Sequence, residues 1–430
     1  MFSAFRKLWN DDRGNVLILG GAALPILIGA AGLATDTIQW ALWKRQLQRA
    51  ADSAAIAGVY DRVNNDSTEG TEEVVNHDLT LNHHTGIDLL AGFPEVSFPA
   101  DAGDLTDQVQ VELEVQRTLP FSSLFMDSAP TIRVLARAAS TPGTDEYCVV
   151  SLENTTNSGI LASGSAEIIM DCGMITNSLS SNAAAAQGSA RVTATVIAAA
   201  GGIQQSSNWN VGNYDPYTPA EEDPYATLTP DEADRGPNNC AGTVTITGSN
   251  GSGSNWTPNC YRGINIQPNR TANLAPGTYF INGGSVNIQG TLNATGATIV
   301  LSNTNPAANA TIGTFDMNAQ GTLNMTAPTT GKWAGMAIYQ DRRATPPTGN
   351  ISASSPNKIN GGSTGAITGV VYFPNQQLTY NGGGNTTASC TQFVVRRVIF
   401  TGNANTNIRG ECEAAGMPPI VGGRRVRLVA

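Results

Sequence analysis

The sequence predicts an N-terminal transmembrane α-helix, a small mixed α+β segment behind it, and a mainly-β C-terminal body built as a right-handed parallel β-helix. Three observations carry this reading. Residues 14–35, GNVLILGGAALPILIGAAGLAT, run for 22 positions without a charge. The decapeptide NIQGTLNATG at 287–296 returns as NAQGTLNMTA at 318–327, an offset of 31. Charged residues make up 13% of the 430, about half the usual share, while Gly, Asn, Thr, Ser and Ala abound and aromatics are sparse. Such a composition is too apolar and too β-branched for a disordered chain, and too poor in helix formers for a helical bundle. The length suits two or three domains. We divide the chain into a cytoplasmic N-terminus (1–13), the span (14–35), a helix extension with the α+β segment (36–144), and the repeat body (145–430).

As a helix, the 22-residue run rises about 33 Å, enough for a hydrocarbon core of about 30 Å. Its anchoring side chains are Val16, Leu17, Ile18, Leu19, Leu24, Ile26, Leu27, Ile28 and Leu33. Pro25 near the middle is tolerated in a membrane, and the Gly and Ala content lets a neighbouring helix approach closely. The competing reading is a cleaved signal peptide, with Arg6, Lys7 and Arg13 as its basic region and the small residues of 30–34 as its cutting site. The residues beyond the span favour retention. Trp40, Trp43, Leu47, Ala50, Ala54 and Ala57 recur at steps of three and four, with Lys44, Arg45, Gln48 and Arg49 off that seam, so one helix continues from the bilayer to about Val59. Trp40 and Trp43 fall where an interfacial aromatic belt belongs. Charge does not orient the span, because basic residues flank both ends and Asp11 and Asp12 dilute the first group.

The six cysteines, Cys148, Cys172, Cys240, Cys260, Cys390 and Cys412, permit fifteen connectivities. Pairing them consecutively gives separations of 24, 20 and 22, all close to one value. An even count behind an export-type N-terminus points to disulfides in an oxidising compartment, with the body outside the cytoplasmic membrane; buried free thiols are the alternative.

After the first helix, TEEVVNHDLTLNHH at 71–84 reads as a polar helix, and EVSFP, QVQVELEVQR and TIRVLARAAS read as strands, the last two with period-two alternation. His77, His83 and His84 are the only histidines, and nothing completes a metal site around them, so they read as a solvated helix end. From Cys148 the texture changes. GSAEI at 164–168 is echoed by GSARV at 188–192, an offset of 24, and GTYFI, SVNI, ATIVL, MAIY, GVVYF and RRVIF are short strands separated by Gly, Asn and Thr turns. Periods of this size imply stacked units, here single turns of a β-helix, in which like residues lie about 4.8 Å apart. Asn and Thr then form ladders, Val, Ile and Leu fill the core, and cysteines one turn apart come within disulfide reach. A sandwich of short strands is the alternative. Residues 203–239, with DPYTPAEEDPYATLTPDEADRGP, are too rich in Pro for a central strand and read as a loop leaving the stack. Its acids, Glu221, Glu222, Asp223, Asp231, Glu232 and Asp234, match no calcium motif and read as a solvated excursion.

The net charge of −10 and the shortness of the Arg clusters exclude nucleic acid as a partner. The best catalytic constellation is Asp316 with Asp341, 25 residues apart and so neighbours if one turn separates them, beside Arg342 and Arg343. Nothing completes an acid/base set, and a salt bridge explains these residues. No nucleophile elbow and no phosphate loop occurs. We therefore expect no enzyme activity, no catalytic residue, no cofactor and no metal.

RGNVLILGGAALPILIGAAGLATDTIQWALWKRQLQRAADSAAIAG resembles the N-terminal anchor of bacterial TadE/TadG-like proteins of the tight-adherence machinery that assembles Flp pili. VQVELEVQRTLPFSSLFMDSAPTIRVLARAAS is similar to the short β region of that family, in which a long helix packs on a meander in pilin-like style. SGSAEI, WAGMAIYQDRR and GVVYFPNQQLTYNGGG resemble the C-terminal part of a subset of TadG-like proteins. Pilins of this system are cut after a Gly followed five residues later by Glu; counted from Gly14 that position is Leu19, so such cleavage is not implied. Nor does SLENTTNSG carry the metal-binding run of relatives with a von Willebrand factor A domain. The resemblance implies a single-pass protein of the bacterial inner membrane with its C-terminal body periplasmic or extracellular. Its role would be structural, in a Flp/Tad pilus or secretion machine or as a minor pilus-associated component, with protein partners and glycan or surface contact. A polysaccharide-active β-helix enzyme and an autonomous adhesin are the alternatives.

Overall fold

The computed structural model describes residues 15–81, 88–242, 244–248, 254–352, 354–360, 366–381, 386–388, 390–402, 405–408, 412 and 416–429, with backbone alone at 15–19, 254–255, 386–388 and 405–407. Two compact units divide the chain, Met1–Thr141 with Val426–Ala430, and Pro142–Arg425.

In the first unit, helix α1 (Asn15–Asn65) runs for 51 residues, about 77 Å at the usual rise. From Asp36 to Ala57 it contains neither Gly nor Pro, so no helix breaker interrupts it past the span. A turn with Asp66 and Gly70 at positive φ leads into helix α2 (Thr71–Leu81). The sheet has the order Glu95–Ser97, Thr106–Gln116, Thr131–Thr141, Arg425–Leu428, and its first three strands pair antiparallel. Val109, Val111, Leu113 and Val115 alternate with Ile132, Val134, Ala136 and Ala138 on one buried face. Against it lies the stripe Leu47, Ala50, Ala51, Ala54, Ala55 and Val59 of α1, mostly small residues that let helix and sheet approach closely. Gly58 belongs to the same contact: a Cβ there would stand 2.9 Å from the Val109 side chain.

The second unit is mainly β, and its strands pair in parallel apart from Ile420–Gly422, which runs antiparallel to Asp145–Ser151. From Thr245 to Thr326 each strand hydrogen-bonds to the third one along, and the long strand Ala366–Asn381 then takes both Met336–Gln340 and Asn357–Asn360 as neighbours. Because the step is in register, like stacks on like. One interior row runs Ile266, Ile288, Met317, Ile359, Tyr380, Phe400, Ala162, Ala186. Another runs Ala272, Leu292, Leu323. The decapeptide repeat sits here: Asn293 donates to Asn273 and Asn324 to Asn293, both at 2.9 Å, so the polar side chains of the repeat satisfy one another along the stack.

A third row shows the route of the chain. It reads Cys260, Phe280, Val300, Tyr339, Tyr372, Val394, Val150, Ile175, Ala198, Asp215. Residues near 150 therefore lie in the middle of the stack, between Thr391–Phe400 and Gly173–Thr176. The chain enters at the middle, proceeds to the end marked by Trp209–Pro216, returns to the opposite end at Asn259–Tyr261, and comes back to its own starting strand. Residues 217–242 make the return.

The sequence reading of 203–239 as a loop outside the stack needs correction. Trp209–Pro216 is a parallel strand on Arg191–Ala199, with Pro216 at its last position, where the missing N–H costs nothing on an edge. The remainder is a strap laid on the stack, with Asp234 buried while Glu222, Asp231 and Glu232 stay exposed as the solvated reading expected. Tyr225, Leu228 and Cys240 pack on the outward side of the third row, covering Phe280, Val300, Tyr339, Tyr372 and Val394.

Replacing Leu292, fully buried in the interior row, by Ala should lower the unfolding free energy by about 2–5 kcal/mol. Asn293→Ala on the same strand should cost about 1 kcal/mol, the worth of an ordinary hydrogen bond. Urea titration of the full-length protein in detergent, followed by circular dichroism, checks the ranking; equal costs would contradict the interior assignment.

Candidate functional site

The anchor residues fall on α1. Val16, Leu17, Ile18 and Leu19 lie in the helix with their side chains outside the described set. Leu24, Pro25, Ile26, Leu27, Ile28 and Leu33 are exposed, and nothing in the unit covers them. The helix is long and apolar enough from Gly20 onward to cross a membrane. Along the seam, Leu47, Ala50 and Ala54 are buried, Trp43 is half-buried against the same core, and Trp40 is exposed. The Lys44 ammonium stands 5.2 Å from the Trp40 ring and the Arg117 guanidinium 5.4 Å from that of Trp43.

Asp36, the first charge after the span, has a role that sequence reasoning missed. It is 2% exposed. Its carboxylate accepts the backbone N–H groups of Phe121 (3.0 Å) and Ser122 and the Ser122 hydroxyl. These bonds hold the start of a short 3₁₀ turn, Ser122–Leu124, against the helix. Phe121 lies over Gly32, where any side chain would collide with its ring. A lone acid closing an apolar run ahead of a distant Pro-Phe-Ser-Ser segment is a faint signal, because nothing local links positions 85 residues apart.

In the β unit, the three disulfides are Cys148–Cys172, Cys240–Cys260 and Cys390–Cys412, with Cα separations of 5.8, 4.9 and 5.1 Å. Cys148 and Cys172 join adjacent strands of the stack, since Tyr147 and Val149 pair with Gly173 and Met174. Cys240–Cys260 departs from the expected turn-to-turn staple: Cys240 belongs to the strap, so this bridge fastens the strap to the end strand Asn259–Tyr261.

Five of the six strap acids are engaged by the protein. Asn177 and Glu221 exchange bonds of 2.7 Å, and Gly423 N–H donates to the Glu221 carboxylate. Asp223 accepts from Tyr372 (2.6 Å) and pairs with Arg342 (3.2 Å). Lys332 bridges Asp231 and Asp234, Trp333 donates to Asp234, and Asn239 to Glu232. Burial, with the Asp223 charge beside it, pushes the Tyr225 phenol up to about 12.

The catalytic candidates separate. Asp316 lies between Asn287 and Lys358 in one row, whereas Asp341 follows Met336–Gln340 in another and meets Ser302. The step from Asp316 along the stack is 42 residues, not 25, because insertions lengthen this part of the chain. Asp341 accepts from Ser302 (2.6 Å) and from the Arg343 guanidinium (2.7 and 3.1 Å) and backbone (2.9 Å). Burial alone would raise its pKa, but these donors win and hold it below the usual carboxylate value. A cavity of about 430 Å³ opens here, between the strap residues Thr229–Asp231 and Tyr339, Asp341, Arg342 and Arg343. A carboxylate so saturated with donors suits a clamp better than proton transfer. His77 is exposed on α2, and His83 and His84 lie outside the described residues. Among the described residues no cluster of three His, Cys, Asp or Glu is placed to hold a metal.

The strongest buried charge cluster lies where the sequence shows only a short basic pair. Glu153, fully buried, accepts from Arg396 (3.0 Å), from Arg397 and from Thr155 (2.6 Å). Arg397 is itself buried and donates to the Gly349 carbonyl. Burial would raise the Glu153 pKa, yet the Arg396, Thr155 and Arg397 donors bring it below its ordinary value. Its stabilising contribution is therefore complete above the ordinary glutamate pKa of about 4.3 and disappears as pH falls through the lower folded value. Glu153→Gln should cost about 3–5 kcal/mol at neutral pH, by stranding the buried Arg397 guanidinium and removing a partner from the partly buried Arg396. Melting curves of the full-length protein from about pH 7 to pH 3 should show the gap between wild type and variant closing as the acid range is entered. A gap that stays constant with pH would contradict the assignment.

No curated protein and no solved structure matches the chain. Residues 14–61, from the start of the apolar span to the last turns of α1, match the Tad family model, described as "Putative Flp pilus-assembly TadE/G-like", the family that the sequence resembles.

Proposed function

We propose that this is a non-enzymatic, single-pass envelope protein of a Flp/Tad-type pilus-assembly or adhesion system, a membrane-anchored structural or minor pilus-associated component. Helix α1 holds it in the bacterial inner membrane, and the β unit stands on the periplasmic or outer side as a right-handed parallel β-helix. The observation that carries the reading is the coincidence, within residues 14–61, of the family match with a helix whose apolar half is uncovered while its other half packs on a sheet. Three disulfides support an oxidising compartment, because such bonds do not persist in a reducing cytoplasm. The in-register, every-third-strand pairing supports the β-helix, since one turn of that fold spends three strands.

A rigid stapled column suits repetitive contact with protein partners or glycans, for which its Asn and Thr rows offer donors and acceptors without charge. The engagement of Asp341 with Ser302 and Arg343 weighs against a polysaccharide-cleaving role.

Deleting the gene should abolish or deplete Flp-type pili and surface attachment, scored by electron microscopy, with restoration by the wild-type gene. Complementation with Asp341→Asn should restore both. Normal pili and attachment in the deletion strain would overturn the assembly reading, and loss of a glycan-degrading activity in the Asp341→Asn strain would favour the enzyme.

A further inference from the structure

Asp36 does more than end an apolar run: it fixes a loop at the level where the span stops. Leu119 is buried, Phe121 is pinned over Gly32, and the Phe121 and Ser122 N–H groups are bound by Asp36. Immediately beyond this anchor the chain turns outward, leaving Leu124 73%, Phe125 77% and Met126 49% exposed. Phe121 and Phe125 rings stand 5.4 Å apart, so the apolar tip is continuous with the residue that touches the helix. Three adjacent large apolar side chains held outward by a built anchor are a costly arrangement in water.

Their neighbourhood says what covers them. Asp36 directly follows the charge-free residues 14–35, so the anchor point lies at the end of the segment proposed to cross the bilayer. Trp40 and Trp43 follow about 6 and 10 Å further along the helix axis, each with a cation on its ring. That is the order of a membrane interface: apolar tip, aromatic belt, then cations at headgroup level.

We propose that Leu124, Phe125 and Met126 form a second membrane contact, seated in the interfacial layer of the bilayer beside α1. The inference rests on the membrane-anchor reading of α1. With two points of contact, helix and loop tip, the first unit cannot rotate freely about the helix axis, and one side of its sheet is kept facing the membrane surface. The occupant is lipid, because through the Phe121–Gly32 contact the tip adjoins the exposed apolar side chains Ile28 and Leu33 of the span.

The test uses full-length protein in phospholipid nanodiscs. No free cysteine occurs, so a single added thiol carries an environment-sensitive fluorophore. Three variants are labelled: Phe125→Cys at the tip, Leu24→Cys in the span, and Glu72→Cys on exposed α2. The Phe125 label should show blue-shifted emission and lose more intensity to nitroxides near the lipid headgroup than to nitroxides deep in the acyl chains. The Leu24 label should show the reverse preference, and the Glu72 label neither response. Quenching at Leu24 with none at Phe125 overturns the loop contact and leaves the anchor standing. Loss of quenching at both overturns the anchor reading itself. Blue-shifted emission at Phe125 without lipid quenching places the tip against protein rather than lipid and also overturns the proposal.

Discussion

The parallel hydrogen-bonded ladder, with its spacing of about 4.8 Å, is the constraint on which the β unit depends. Once strands pair in register, every side chain has a counterpart directly above and below it, and each must tolerate a near copy of itself. Aliphatic residues do so inside, as in Ile266, Ile288, Met317 and Ile359. Asparagines do so outside, because each amide donates to the next, as Asn324 does to Asn293 and Asn293 to Asn273. Charges do not stack on like charges, which accounts for the low charge content of the repeats. The blandness of the sequence is thus a packing requirement.

A sheet with an apolar outer face needs a cover, and the strap supplies it. The row from Phe280 to Val394 presents aromatic and aliphatic side chains away from the interior, and Tyr225 and Leu228 lie over them. The strap is rich in carboxylates because it is bound electrostatically at its edges: Asp223 to Arg342 and Tyr372, Asp231 and Asp234 to Lys332, Asp234 to Trp333. Its Pro residues suit an extended strip without ladder partners. The same segment carries the chain from one end of the stack to the other, so the stack meets its own first strand in the middle. There Glu153 joins the two passes of the chain by accepting from both Arg396 and Arg397. That ion cluster sits where strands distant in sequence must find the correct register, a use for which a specific polar contact is better suited than an aliphatic one.

The first unit solves a different problem, since one helix serves two solvents. Its later half presents Ala50, Ala51, Ala54 and Ala55 to a sheet, and its earlier half presents Leu24, Ile26, Leu27 and Ile28 to nothing within the unit. Asp36 marks the change, and being satisfied by Phe121 and Ser122 it need not be hydrated. Such a junction holds the folded part of the unit at a set height on the apolar half of its helix.

Much of this was legible in the sequence, because local pattern determines it. The charge-free run, the three-and-four seam through Leu47, Ala50 and Ala54, the alternation in Thr106–Gln116 and the recurrence of GTLN each follow from backbone periodicity, which any window of the chain displays. The common cysteine spacing likewise pointed to consecutive pairing while leaving fifteen connectivities formally open. What the tertiary structure decided concerns partners far apart in the chain. Asp36 meets Ser122, Glu153 meets Arg396, Asp223 meets Arg342, and Asp316 parts from Asp341 because insertions change the step between strands. The acidic segment read as solvated for the same reason. Its composition says only that it is polar, whereas its docking depends on Lys332, Trp333, Arg342 and Tyr372, which the stack brings to it from positions 98 to 149 residues away.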